Sequence, residues 1–175
     1  ADGWGEMEIG WTRGAPPDNA SLLQGAFAGM VGMRKEINVE ENLEVILSMD
    51  GNRAKVIYEA WVDGGAVPFA QWELPKAPSL AGRTLDNLPE PGDILRVRWN
   101  EVSNRELRVR ASYYDQSADT WHHDIIDSTQ ALDNMGTSGV SYFDGYHLAS
   151  SITIDTPYYG IRRFRVGTLD TYPAE

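Results

Sequence analysis

The strongest constraint on the fold is a strict alternation of apolar and charged residues in two stretches, 93–99 and 105–114. In the first stretch, Arg96 and Arg98 alternate with apolar residues that end in Trp99. A period of two sends successive side chains to opposite faces of a β-strand, whereas on a helix it would scatter the arginines around the cylinder. The two stretches therefore predict an antiparallel sheet with one buried face and one solvated face, with the arginines on the solvated face.

A hairpin is predicted where Asp50 and Gly51 separate two β-rich stretches. Asp-Gly favours a two-residue type I′ turn, which pairs Met49 with Asn52. The same register sets mainly apolar residues opposite each other on one face: Leu47 with Ala54, Val45 with Val56, and Leu43 with Tyr58. Turn chemistry and hydrophobic register therefore agree in predicting this hairpin.

The arginine-rich stretches predict a second hairpin with a three-residue loop over 102–104. That loop pairs Trp99 with Leu107 and places Glu101 opposite Arg105, an opposite-charge pair that stabilises a sheet by a few tenths of a kcal/mol. A four-residue loop would set apolar residues opposite arginines, so we expect the shorter loop.

Short β-rich stretches continue along the chain, punctuated by 17 glycines and 9 prolines. A length of 175 residues fits one domain over 1–175. We predict an all-β fold, an antiparallel β-sandwich of the jelly-roll type. Residues 127–138 are the one stretch whose pattern leaves room for a short helix. The remaining predicted strands are 6–12, 25–34, 70–74, 120–125, 139–143, 149–154 and 161–169.

Composition excludes several classes of function. The chain has no cysteine, which removes disulfides, thiolate zinc sites and cysteine nucleophiles. A formal net charge of −11 disfavours nucleic acid and anionic membranes as partners, because phosphates would repel it. The longest weakly polar run, 25–33, is too short to span a bilayer. Calcium, neutral glycans or a basic protein surface remain as partners, and solubility alone is the simpler explanation of the charge.

Six tryptophans are many for this length, and aromatic rings stack on the C–H faces of sugars. Tryptophan is also a bulky core residue, and the register of Trp99 assigns it to the core. Trp72 and Trp121 lie beside polar neighbours. They are candidate ligand-binding residues, together with His122 and Tyr142.

Two carboxylates, Glu6 and Glu8, fall on the same face of one predicted strand and could divide into acid and base roles. The spacing is related to the Glu-x-Asp-x-x-Glu strand of laminarinase-type glucanases, but Trp11 stands where the last glutamate would be. A solvated strand face is the simpler explanation. His122 and His123 are adjacent, so on a strand they face opposite ways and do not form a zinc site.

Calcium is the candidate cofactor, since aspartates fall near predicted turns and strand ends and calcium prefers oxygen ligands from such places. No Asp-x-Asp-x-Asp loop is present, and aspartate is also an ordinary turn residue. The candidate ligands are Asp2, Asp115, Asp144, Asp155 and Asp170.

The order of motifs in the C-terminal half resembles the concanavalin A-like lectin/glucanase superfamily, particularly its laminin-G-like jelly-roll modules. The pieces are a Gly92–Asp93 turn followed by segments 94–99, 107–114, 120–122, 138–143 and 163–166. The chain departs from the family pattern at Arg162 and Arg163, where such modules often carry acidic residues before the closing strand. The resemblance implies a sandwich fold and a role in binding glycans or in adhesion.

From these features we expect a non-catalytic carbohydrate-binding or adhesive module, extracellular or on a virion surface. The alternative is a structural or decoration protein of a virion or cell-surface assembly, held by a protein scaffold and often homo-oligomeric. A polysaccharide-degrading enzyme that uses Glu6 and Glu8 is the second alternative. A glycan array separates the first from the second, and loss of polysaccharide cleavage in Glu6→Gln or Glu8→Gln would identify the third.

Overall fold

A computed structural model describes residues 2–11, 28–34, 42–50, 53–62, 65–75, 89–103, 106–131, 147–151 and 159–175. Across these residues the chain forms β-strands, with a single 3₁₀ turn at Leu169–Thr171 and no α-helix. Every strand pairing is antiparallel. The predicted all-β class is therefore confirmed.

The strands form two five-stranded sheets. Sheet A has the order β10-β1-β6-β7-β8 and comprises β1 (Gly3–Trp11), β6 (Ile94–Ser103), β7 (Glu106–Asp115), β8 (Thr120–Ala131) and β10 (Tyr159–Gly167). Sheet B has the order β5-β4-β3-β2-β9 and comprises β2 (Ala28–Arg34), β3 (Asn42–Asp50), β4 (Arg53–Val62), β5 (Gly65–Glu73) and β9 (His147–Ser151). Strands from the two ends of the chain thus lie side by side in sheet A.

One buried apolar cluster draws side chains from both sheets. In sheet A the predicted alternation is confirmed, since alternate residues of β6 up to Trp99 and of β7 from Leu107 to Tyr113 are buried in this cluster. Full burial of such a side chain stabilises the fold by about 1.5–3 kcal/mol. We call the side of each sheet that bears this cluster its core face, and the opposite side its outer face.

The register predicted for the first hairpin is wrong by two residues. Asp50 pairs with Arg53, so Met49 lies opposite Ala54 and not opposite Asn52. A shift of two residues leaves every side chain on the same face. The apolar pattern therefore fits both registers equally well and could not distinguish them.

The second hairpin shows the same error. Trp99 pairs with Val109 and Glu101 pairs with Leu107, and the register shifts by a residue beyond Glu101. The predicted pair of Glu101 with Arg105 is not formed in this register, and Arg105 itself lies outside the described residues. Again the core face is as predicted and only the pairing partner differs.

Two strand boundaries also differ from the prediction. β8 continues to Ala131, so the helix allowed from 127 is wrong over 127–131. β5 begins at Gly65 and includes Pro68, which an edge strand tolerates because one side of it has no ladder to donate to. The predicted strand over 139–143 lies outside the described residues.

A tight turn fixes the start of β6. Gly92 adopts a φ of +93°, and a Cβ there would lie 2.9 Å from the Gln116 Cγ. The buried Asp93 carboxylate accepts hydrogen bonds from the Tyr113 hydroxyl at 2.6 Å and the Gln116 backbone N–H at 3.0 Å. Two segments of the family-like pattern, the Gly-Asp turn and the Tyr-bearing strand, therefore contact each other directly.

Candidate functional site

The outer face of sheet A combines arginines with carboxylates. The strand registers bring together Arg96, Arg98, Arg108, Arg110, Arg163 and Arg165. Most of their charge is met within the face: Asp124 receives both of its hydrogen bonds from Arg98 at 2.8 Å, and Asp127 pairs with Arg108 at 2.6 Å. The face is a network of ion pairs rather than a bare cationic surface.

Glu6 is the buried centre of this network. Its two carboxylate oxygens contact the Nε atoms of Arg96 at 2.7 Å and Arg165 at 2.5 Å. Glu6 is 2% exposed and Arg96 3%, so the prediction of a solvated face is wrong at Arg96. The cause is tertiary, because other parts of the chain lie on top of this arginine.

Glu8, two residues along β1, lies on the same face as predicted. Its carboxylate contacts the Arg163 Nε at 3.1 Å and lies 3.7 Å from the Arg162 Nη1. Both carboxylates of the predicted acid–base pair are thus engaged by guanidinium groups.

Arg96 also organises the aromatic side chains of this face. Its guanidinium carbon lies 4.2 Å from the centroid of the Trp121 ring and 5.5 Å from that of Tyr172. Its Nη1 donates to the backbone oxygens of Pro173 and Ala174, each at 3.4 Å. Cation–π contacts of this kind strengthen when the pair is removed from water.

The C-terminal segment (168–175) covers this part of sheet A. The Trp4 Nε1 donates to the Thr171 Oγ1 at 3.1 Å, and Tyr172 meets Trp4 edge-on with centroids 6.2 Å apart. The approach requires glycine at 167, since a Cβ there would lie 2.5 Å from both the Trp4 Nε1 and the Thr171 Oγ1.

The covering segment carries Glu175, whose carboxylate lies among polar side chains of sheet A. We call Arg96, Ser112 and His123 the cradle. The carboxylate accepts hydrogen bonds from Ser112 Oγ at 3.1 Å and the Tyr172 hydroxyl, contacts His123 Nδ1 at 2.7 Å, and lies 3.8 Å from Arg96 Nη1. Burial raises the pKa of Glu175, but the hydrogen bonds from Tyr172, His123 and Ser112 and the charge of Arg96 outweigh it, so its pKa is lowered overall.

The predicted ligand-binding residues fall at two places. Trp72 of β5 and His122 of β8 meet where the edges of the two sheets contact, with ring centroids 5.4 Å apart, and Trp72 also lies 5.8 Å from the Tyr113 ring. Trp121 faces the other way, against Arg96 and Tyr114. Tyr142 lies outside the described residues.

A buried pair of carboxyl groups on the outer face of sheet B was missed by the sequence reasoning. Glu44 and Glu59 lie directly opposite each other on β3 and β4. Burial, a hydrogen bond to Glu59 and its charge raise the pKa of Glu44 to about 8. The predicted register would have set Glu44 opposite Ile57, so the two-residue error concealed this pair.

The described residues contain no group of three or more His, Cys, Asp or Glu side chains that could hold a metal ion. Two candidate calcium ligands accept hydrogen bonds from other residues: Asp2 from the Glu101 backbone N–H at 2.8 Å, and Asp115 from Ser117. Asp170 lies in the 3₁₀ turn, and Asp144 and Asp155 lie outside the described residues.

Within the same part of the chain, no helix has the length and apolar character needed to cross a lipid bilayer. Comparisons with protein-family models, with curated proteins and with solved structures give no match. The likeness to the concanavalin A-like superfamily therefore stays a prediction from the sequence motifs.

Proposed function

We propose that the protein is a non-catalytic carbohydrate-binding or adhesive module with a jelly-roll β-sandwich fold, acting outside the cell or on a virion surface. The two five-stranded antiparallel sheets with a shared apolar cluster support this fold. Binding, rather than turnover, agrees with the arginine contacts that engage both Glu6 and Glu8.

The observation that carries this proposal is the ring pair of Trp72 and His122. Both side chains are half-buried, so each is anchored by packing and still presents an edge or face to solvent. They belong to edge strands of different sheets, β5 and β8, which gives a ligand access from the side of the molecule. An anchored aromatic ring beside a hydrogen-bonding imidazole is a suitable platform for a sugar ring.

The test is a broad glycan array with the wild-type chain, once with calcium and once with chelator, followed by variants of the ring pair. We expect Trp72→Ala and His122→Ala to weaken binding of the best glycan by at least about tenfold, the equivalent of one lost stacking or hydrogen-bonding contact. Val67→Ala, on the same strand, is the matched control.

The His122 variant guards against a folding artefact, because Trp72 packs against the core cluster, whereas His122 is a half-buried residue of the edge strand β8. Near-UV circular dichroism of each variant reports the fold. Full affinity in both folded ring variants would discard the site, and a blank array in both buffers would discard the function.

A structural role in an assembly is the second candidate, favoured by β5. This strand lies at the edge of sheet B, its residues 65–68 are exposed, and Val67 is 48% exposed. An exposed edge with an apolar residue can pair with another chain. We expect Val67→Lys to abolish any self-association seen by light scattering, and a strictly monomeric wild-type chain would count against this role.

A further inference from the structure

The cradle around Glu175 is built from groups that recognise a carboxylate. Two of its members are polar side chains almost fully withdrawn from solvent: Arg96 is 3% exposed and Ser112 1%. His123 of β8 is exposed and contacts the Glu175 Oε2, whereas Tyr172 donates to the Oε1. Arg96 is also paired with Glu6 at 2.7 Å, and Ser112 Oγ accepts the Asp124 backbone N–H at 3.0 Å, so sheet A holds both groups in position for a carboxylate.

The partner in this structure comes from the chain itself. Glu175 reaches the cradle through the segment 168–175. The other contacts of that segment are the Trp4–Thr171 hydrogen bond, ring contacts of Tyr172 and backbone oxygens that accept from Arg96, rather than a deep apolar plug. Leu169 and Tyr172 are the only large apolar or aromatic residues of the segment, and both are half-buried rather than buried. A cover held in this way can exchange with a ligand that offers the same carboxylate.

Unused hydrogen-bonding capacity lies beside the cradle. The Arg98 Nε is buried and has no hydrogen-bond acceptor among the described residues, while the Tyr172 ring sits 4.8 Å from the Arg98 guanidinium. The Arg98 charge is paired with Asp124 through Nη2, so only this one N–H lacks an acceptor, which is unfavourable for a buried donor. A ligand that replaces Tyr172 with oxygen atoms would satisfy this donor.

We propose that Arg96, Ser112 and His123 form a carboxylate-binding site for an acidic sugar, and that Glu175 is its intramolecular competitor. The sugar is favoured over an acidic peptide because Trp121, which lies against the Arg96 guanidinium, supplies an aromatic surface next to the cradle. A uronic acid ring carries its carboxylate and its C–H face close together, as this arrangement requires.

This site is separate from the edge formed by Trp72 and His122, because Trp121 and His122 face opposite sides of β8. Its test uses glucuronate as the probe, with binding followed by calorimetry. We expect Glu175→Ala to bind glucuronate at least about tenfold more tightly than the wild type, since the competing carboxylate is gone. Adding Ser112→Ala and His123→Ala to Glu175→Ala should remove this gain.

The controls test whether a gain in glucuronate affinity comes from the loss of the Glu175 carboxylate at this site. Glu106→Ala removes one negative charge from an exposed glutamate elsewhere on sheet A and should leave glucuronate affinity at the wild-type level. Glucose, the neutral probe, should show no gain with Glu175→Ala. Trp72→Ala should leave glucuronate binding unchanged, so failure of the edge site is distinguishable from failure of this one.

Three results would overturn the proposal: no gain in Glu175→Ala, an equal gain in Glu106→Ala, or equal binding of N-acetylglutamate amide and glucuronate. The last would assign the cradle to an acidic peptide instead. Should Glu175→Ala lose its near-UV circular dichroism, Glu175→Gln keeps the size of the side chain and removes its charge, and the same gain is expected from it.

Discussion

Glu6 and Glu8 stand two residues apart on one strand, and their surroundings give them different roles. Glu6 is buried with Arg96, and its second partner Arg165 is 44% exposed. Glu8 meets Arg163, which is 52% exposed. A buried ion pair leaves an uncompensated charge when one member is removed, whereas solvent replaces a lost partner at the surface.

We therefore expect Glu6→Gln to lower the free energy of unfolding by about 3 kcal/mol and Glu8→Gln by less than about 1 kcal/mol. Urea denaturation of the two variants at neutral pH measures both values. Equal losses would mean that the burial of the Glu6–Arg96 pair does not govern its contribution. A loss of polysaccharide cleavage in either folded variant would revive the enzymatic alternative.

At the scale of elements, the end of β10 determines whether the C-terminal segment can lie on sheet A. Gly167 pairs with Trp4, and the segment turns back over the same tryptophan through the 3₁₀ turn at Leu169–Thr171. Any side chain at 167 would collide with the Trp4 Nε1 and the Thr171 Oγ1 and so break their hydrogen bond.

Gly167→Ala should destabilise the protein by about 1–3 kcal/mol, as overpacking usually does, and should release the segment before the sheets unfold. Hydrogen exchange is the suitable measurement, with faster exchange expected at Thr171 and Tyr172. Gly10→Ala is the control, because its added Cβ would lie 3.3 Å from the Arg162 Cβ, a much smaller overlap than the approaches of 2.5 Å at Gly167. Unchanged exchange in Gly167→Ala would contradict the close packing.

At the scale of the whole molecule, two carboxyl groups set opposite pH limits on stability. The pKa of Glu44 is raised in the folded state, so its contribution is complete below pH 4.5 and is lost as the pH rises through about 8. The pKa of Glu175 is lowered, so its contribution is present above 4.5 and is lost as the pH falls through its folded value.

Between pH 5 and pH 8, Glu44 should make the free energy of unfolding of the wild type decline by on the order of 4 kcal/mol. Glu44→Gln should flatten this decline. The amide can still donate to Glu59, so the variant should match the wild type at pH 5 and exceed it at pH 8. Chemical denaturation across this range measures the difference, with Glu106→Gln as control. An unchanged slope in Glu44→Gln would show that the pair does not hold a proton above pH 5.

The sequence alone could predict the parts of the candidate site that depend on local pattern. Trp72 and His122 were found as aromatic and polar residues with polar neighbours, and Glu6 and Glu8 as a strand pair. The covering of Arg96 by segment 168–175 was not predictable, because it joins residues far apart in the chain and has no periodicity of its own. The opposition of Glu44 and Glu59 depends on a register that the apolar pattern leaves open.

By itself, then, the sequence determined the all-β class and which side of the hairpin strands is buried, since both follow from an alternation of period two. Only the tertiary structure decided which residues stand opposite each other and which part of the solvated face is covered. The physical reason is that a shift of two residues leaves the same apolar side chains on the buried face, while hydrogen bonds and charges distinguish one cross-strand partner from the next. The same alternation therefore yields a solvated Arg108 and a buried Arg96.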